Sequence, residues 1–207
     1  MSSSIPVTTS LILPPRELAR RLPRLVIGLV LCGFGIALMI NANLGLGPWD
    51  VLHQGVSSIT GIPIGTVGIA VGVLLLLLWI PLRERPGIGT IANALLIGAT
   101  IDLTRLWLPE PDLVWQQLGF LVVGTFLFGP GSGLYIGAGL GAGPRDGLMT
   151  AIARRGVSVR RVRTLIELSA LAVGVVLGGT VGLGTILFAL TIGPNVQFFL
   201  ERWAPRG

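Results

Sequence analysis

The sequence predicts an all-α polytopic membrane protein. Six transmembrane helices form two inverted three-helix repeats, each with a short non-spanning helix after its first span. Three observations predict this. Hydrophobic residues occupy 52% of 207 positions and charged residues 12%, with a mean hydropathy of +0.84; a soluble domain carries about a quarter charged residues. Six apolar runs approach the ~20 residues needed to cross a bilayer as helix. Finally, the string Gly-x-Gly-Pro-x-Asp occurs twice, as GLGPWD at 45–50 and GAGPRD at 141–146.

Residues 1–24 read as a cytoplasmic N-terminal segment ending in Arg16, Arg20, Arg21 and Arg24. The first span follows, roughly Leu25 to Leu44. No small-x-small cleavage site follows this run, so it reads as a retained helix and not a signal peptide. Its lone cysteine, Cys32, has no disulfide partner and reads as a small packed residue. Spans two and three run from Ile64 to Leu82 and from Gly87 to Leu108, with Arg83 and Arg85 between them. Spans four, five and six run from Leu113 to Ile136, Thr164 to Gly179 and Gly182 to Leu200. Residues 25–108 and 109–207 are then the two repeats of one membrane domain.

The positive charge is all arginine, and the net charge is +6. A pI near 11.4 would suggest nucleic acid for a soluble chain. Here the arginines lie between apolar runs, including Arg145 and the cluster Arg154 to Arg163 between spans four and five, and Arg202 and Arg206 after span six. Six spans place all of them on one side except Arg105, so the positive-inside rule puts both termini in the cytoplasm. The expected partner is the lipid bilayer, with no nucleic acid.

The repeated string is the centre of a longer internal match. GFGIALMINANLGLGPWDVL (33–52) aligns with GPGSGLYIGAGLGAGPRDGL (129–148), and GIGTIANALLIG (87–98) with GLGTILFALTIG (182–193) after a one-residue deletion. Two ordered blocks at nearly one offset exceed what a Gly- and Leu-rich composition produces. Each unit holds three spans, an odd number, so the second unit crosses in the opposite sense. Many secondary transporters use that plan, with their sites at the repeat interface.

As backbone chemistry, Gly-x-Gly-Pro-x-Asp is a helix start. Glycine permits a sharp turn, proline suits the first helical position, and the aspartate falls in the first turn at the positive dipole end. Helices are expected from Pro48 to about Thr60 and from Pro144 to about Arg155, stopped by Gly61 and Gly156. At ~18–20 Å they are too short to span, so they lie along an interface or dip in as re-entrant segments.

The candidate substrate-binding residues are Asn41, Asn43, Asp50, His53, Asn93, Asp146 and Asn195. Each has an ordinary alternative. Asp50 and Asp146 can cap their helices, and the asparagines can bond freed backbone or neighbouring helices. His53 lies one turn from Asp50, where a proton-handling pair competes with a role as simple polar trim. Glu167 reads either as a coupling carboxylate inside span five or, more simply, as an i, i+4 ion pair with Arg163, and Asp102 with Arg105 reads as an ion pair at the outer end. The chain has no His-Glu-x-x-His pattern, no second cysteine and no glycine-flanked nucleophile elbow, so no enzyme activity, metal or cofactor is expected.

GLGPWDVLHQGVSSITGIPIGTVGI and IPLRERPGIGTIANALLIGATIDL resemble the YczE/YyaS/YitT family of bacterial integral membrane proteins, in its YczE-like branch. The resemblance runs from about Leu22 to the end of the chain, with Arg145 standing where the first motif copy has Trp49. It implies a bacterial cytoplasmic membrane and a multi-span bundle, and it carries over no substrate and no catalytic residue. The expected function is a transporter or channel-like protein for a small molecule or ion, alternating between its repeats. The alternatives are a membrane scaffold or regulator, or the membrane subunit of an ATPase-driven system, and a second copy of the chain or a membrane or ATPase subunit are the further partners considered.

This topology makes a direct prediction. A fluorescent protein fused after Gly207 should fluoresce in whole bacterial cells, whereas alkaline phosphatase inserted after Glu110 should be active. The opposite pattern at either position would reverse the orientation.

Overall fold

The computed structural model describes residues 14–203, and the regular elements among them are eight helices: α1 (Pro15–Ala42), α2 (Pro48–Thr60), α3 (Ile64–Leu82), α4 (Ile88–Arg105), α5 (Val114–Gly137), α6 (Pro144–Ala153), α7 (Val159–Val176) and α8 (Leu183–Trp203). Residues 1–13 of the expected N-terminal segment, and Arg206, lie outside the described residues. Four helices are long and apolar enough to cross a membrane: α1, α3, α5 and α8. The other two long helices, α4 and α7, are shorter at 18 residues. They carry Asp102 and Arg105, and Arg160, Arg161, Arg163 and Glu167, respectively. Both short helices begin at their motif proline, as the pattern predicts.

Two ends differ most from the hydropathy limits, and local chemistry accounts for both. α1 starts at Pro15, well before the apolar run, and Glu17 and Arg21 pair at 2.6 Å across one turn of this polar extension. α7 starts at Val159, where the Ser158 hydroxyl accepts from the Arg161 amide at 3.3 Å.

The centre of the bundle is the antiparallel crossing of α1 and α5. Gly28 lies against Gly131, and Gly35 against Gly124, so the backbones touch. A Cβ on Gly28 would sit 2.6 Å from the Gly131 carbonyl, and one on Gly35 2.6 Å from the Gly124 carbonyl. Between these pairs Cys32 packs with its sulfur 3.9 Å from the Phe128 carbonyl and 3.7 Å from the Ser132 hydroxyl. In the duplicated alignment Gly28, Cys32 and Gly35 correspond to Gly124, Phe128 and Gly131, so the crossing is reciprocal. Small residues allow this approach, and dispersion between the backbones holds it.

The remaining contacts follow in matched pairs. α4 packs on α1 and α8 on α5, with Thr100 against Gly33 and Asn195 against Gly129 at corresponding places. Each short helix lies against the other unit's second long helix, α2 on α7 and α6 on α3. One pair breaks the match. α3 packs on α4 through Gly65, Gly72, Ala94 and Gly98, whereas α7 and α8 share no such interface.

The chain leading into each short helix also caps a helix of the other unit. The Gly89 amide donates to the Leu140 carbonyl at 2.8 Å, and the Gly184 amide to the Leu44 carbonyl at 2.7 Å. Both amides are in the first turn of their helices, where no intrahelical partner exists. Thr90 and Thr185 complete these starts, accepting from Gly87 N and Gly182 N.

The Asp102–Arg105 ion pair read from the sequence is not what forms. Asp102 accepts from the Gly65 amide, the Thr66 amide and the Thr66 hydroxyl at 2.7, 2.7 and 2.8 Å, capping α3 from α4. Arg105 donates to Asn41 Oδ1 at 3.1 Å. A carboxylate bonded to two orphan amides gains more than an exposed pair one turn away. Asp102→Ala should therefore destabilise the purified protein by about 1–2 kcal/mol, read as a lower thermal midpoint in detergent, with Arg105→Gln costing less. Equal losses would refute the cap.

Candidate functional site

The two motif copies are folded by the same backbone devices. After α1, Asn43 and Gly45 adopt positive φ values of 52° and 106°; after α5, Gly139 and Gly141 do so at 64° and 129°. Asparagine and glycine are the residues that tolerate the left-handed region, which explains why Asn43 and Gly139 interchange at one place in the repeat. Gly47 and Gly143 then lie extended, at φ −63° and −60°, and the prolines open the helices.

These two helix starts meet. The Arg145 guanidinium carbon lies 5.0 Å from the centre of the Trp49 ring, a cation–π contact between the variable residues of the two motif copies. Beneath them Trp79 of α3 packs with Leu75, Leu148 and Trp49, and its indole N–H donates to the Pro144 carbonyl at 3.2 Å. Trp79 fills the space over Gly147, where any side chain would collide with the ring.

The motif aspartates have unlike surroundings. Asp50 is 6% exposed and His53 is 2% exposed, with His53 Nδ1 3.5 Å from Asp50 Oδ1. Gly68 of α3 leaves room for the ring, since a Cβ there would lie 3.4 Å from Nδ1. His53 Nε2 and the Trp49 indole nitrogen are buried without a hydrogen-bond partner among the described residues. Asp146 is more open. It accepts from the Tyr135 hydroxyl at 3.4 Å and from Arg163 at 3.2 Å, and Arg163 also reaches Glu167 at 3.3 Å. The i, i+4 pair of Arg163 and Glu167 is therefore present, with Asp146 as a third member. Both aspartates face side chains, and the Gly47 and Gly143 caps carry no side-chain hydrogen bond.

Of the other candidates, Asn93 lies near the junction. Its amide packs on Gly143, where a Cβ would come within 3.3 Å, and Phe188 holds the equivalent place against Gly47. Polarity thus enters on one side only. Asn41 lies at the far end of α1, where it donates to the Leu108 carbonyl at 3.1 Å and accepts from Arg105. Asn43 is the left-handed cap of α1, and Asn195 donates to the Thr125 and Phe126 carbonyls at 3.2 and 3.1 Å. Asn41 and Asn195 satisfy backbone carbonyls with their side-chain amides, and Asn43 does so with its backbone N–H, which donates to the Ile40 carbonyl. Trp49, Tyr135, Arg145 and Arg163 join the site although none was among the candidate binding residues read from the sequence. Trp49 and Arg145 carried a signal, since they share one motif position; Tyr135 carried none. Among the described residues no three His, Cys, Asp or Glu side chains gather as a metal site.

Residues 19–201 match the family of unknown function DUF6198. The chain is 41% identical to an uncharacterized protein of Haemophilus influenzae over 86% of this chain and 82% of that protein. It is 36% identical to the uncharacterized membrane protein YczE of Bacillus subtilis over 90% of this chain and 88% of YczE. It is also 28% identical to the uncharacterized protein YyaS of the same organism, over 84% and 89%. No solved structure matches the chain. The chain belongs to the DUF6198 family, in a YczE-like group of membrane proteins.

The contact between the helix starts can be measured. A double-mutant cycle with Trp49→Leu and Arg145→Gln should give a coupling energy of about 0.5–1 kcal/mol, read by thermal or denaturant unfolding in detergent. Additive effects would mean that the two side chains are neighbours without interacting.

Proposed function

We propose that this member of the DUF6198 family is an integral membrane transporter or channel-like protein for a small molecule or ion. In this reading six helices cross a bacterial cytoplasmic membrane, with both termini inside. They form two inverted repeats whose relative motion opens a central site to each side in turn. The observation that carries the proposal is the contact of Arg145 with Trp49, which brings the N-termini of two non-spanning helices together. Transporters of this plan aim half-helix N-termini at a site between their repeats. The reciprocal antiparallel crossing of α1 and α5 supports the inversion, and at ~27 Å the 18-residue α4 and α7 can cross a thin or tilted span.

The unequal aspartates support a central site with one open side. Asp50 and His53 are enclosed, while the Asp146 and Arg163 side chains are 42% and 56% exposed. On this reading Arg163 lies toward the cytoplasm, and the Asp146–Arg163–Tyr135 contacts are those that rearrange as the site changes sides. The missing α7–α8 interface favours a second reading, in which a partner chain covers this face and the protein is the membrane subunit of a larger transporter.

Reconstitution into liposomes tests the first reading. Flux of at least one ion or metabolite from a broad panel is expected, and Asp50→Asn should lower it by about tenfold or more at unchanged thermal midpoint. A well-folded protein that moves nothing across the panel would overturn autonomous transport.

A further inference from the structure

Near the contact of the two helix starts, four buried or half-buried polar side chains keep hydrogen-bonding capacity unused among the described residues. Arg145 makes its cation–π contact with Trp49 and no hydrogen bond or ion pair among the described residues. The Trp49 indole N–H is buried with no acceptor among the described residues. Asp50 is buried, and among the described residues the one ionisable partner beside it is His53. His53 turns Nδ1 to Asp50 and to α3, which leaves Nε2 on the far edge of the ring, buried and unpaired. Arg145, on α6, lies over the Trp49 ring, and Trp49 stands one helical turn before His53 on α2. The second aspartate is already engaged, through Tyr135 and Arg163.

Sorted by chemistry, these groups divide evenly. Arg145 and Trp49 can only donate hydrogen bonds. The Asp50 carboxylate only accepts, and with its proton on the Nδ1 that faces Asp50, His53 offers Nε2 as a second acceptor. Buried groups left in this state cost free energy until something satisfies them. A lone anion would satisfy Arg145 and Trp49 but leave Asp50 uncompensated. A lone cation would do the reverse. Both leave a net charge in an apolar setting, which is the more costly outcome.

We infer that this junction binds a small zwitterion, with a carboxylate on Arg145 and the Trp49 N–H and an ammonium on Asp50 and His53 Nε2. The ligand class is that of a free amino acid or a molecule of like charge and size. The positive ends of α2 and α6 favour the carboxylate as well. The inference rests on the transport reading for its biological sense, but it concerns binding and is tested without flux.

Equilibrium binding to the purified full-length protein in nanodiscs is the test, using glycine, L-alanine, acetate and methylammonium as probes. The amino acids should bind and raise the thermal midpoint. Acetate and methylammonium, alone or together, should bind at least about tenfold more weakly. Arg145→Gln and Asp50→Asn should each weaken amino-acid binding by on the order of tenfold or more, and His53→Gln, which keeps an acceptor, by less. Circular dichroism and the thermal midpoint without ligand identify any variant that fails to fold, in which case the probe comparison on the unmodified protein decides. Equal binding of acetate and glycine would replace the inference by a simple anion site. No binding of either amino acid would overturn it, and flux of some other solute in liposomes would then leave the transport reading standing alone.

Discussion

In an apolar chain that breaks its helices, every freed backbone group must find a partner inside the protein. Here that constraint links the halves. The carbonyls of Leu44 and Leu140, released where the chain turns toward each short helix, accept the first-turn amides Gly184 and Gly89 of the other half. Neither turn is complete by itself. Each short helix packs on long helices of both units, and the starts of α4 and α8 each donate one hydrogen bond to the opposite turn. The glycine crossing of α1 and α5 brings the units close enough for these exchanges.

Once the units interlock in this way, the helix starts are forced together. Each short helix rests on the other unit's long helix, and the side chains at one motif position, Trp49 and Arg145, reach each other. Identical residues there would place like beside like. The chain instead has tryptophan in one copy and arginine in the other, which turns a symmetric contact into an attractive one. The same divergence recurs around it. Asn93 faces one start where Phe188 faces the other, and Asp50 is enclosed where Asp146 is open. A repeated framework thus carries an asymmetric polar centre.

Several polar residues within the apolar runs prove to serve the framework. Asp102 caps α3, Asn195 satisfies carbonyls of α5, and Asn41 joins the ends of α1 and α4. From the sequence they look like the residues at the junction, since hydropathy marks a polar group in an apolar run but not what it bonds. Their distinction lies in what remains unsatisfied. Asn41, Asp102 and Asn195 have backbone partners, whereas His53 Nε2 and the Trp49 N–H have none among the described residues.

The sequence by itself determined the helices, because length, hydropathy and the Gly-x-Gly-Pro-x-Asp start act through local backbone physics. Both short helices begin at their predicted prolines, and the left-handed turns fall on the asparagine and glycines that permit them. The duplication was equally legible, as an alignment needs no coordinates. Only the tertiary structure decided which residues share the centre. Trp49 and Arg145, or Tyr135 and Asp146, are brought together by how two units dock, and nothing in either local sequence encodes that distance. The choice of Asp102 for α3 over Arg105 was decided there too, by two orphan amides on a helix that the local spacing does not reveal.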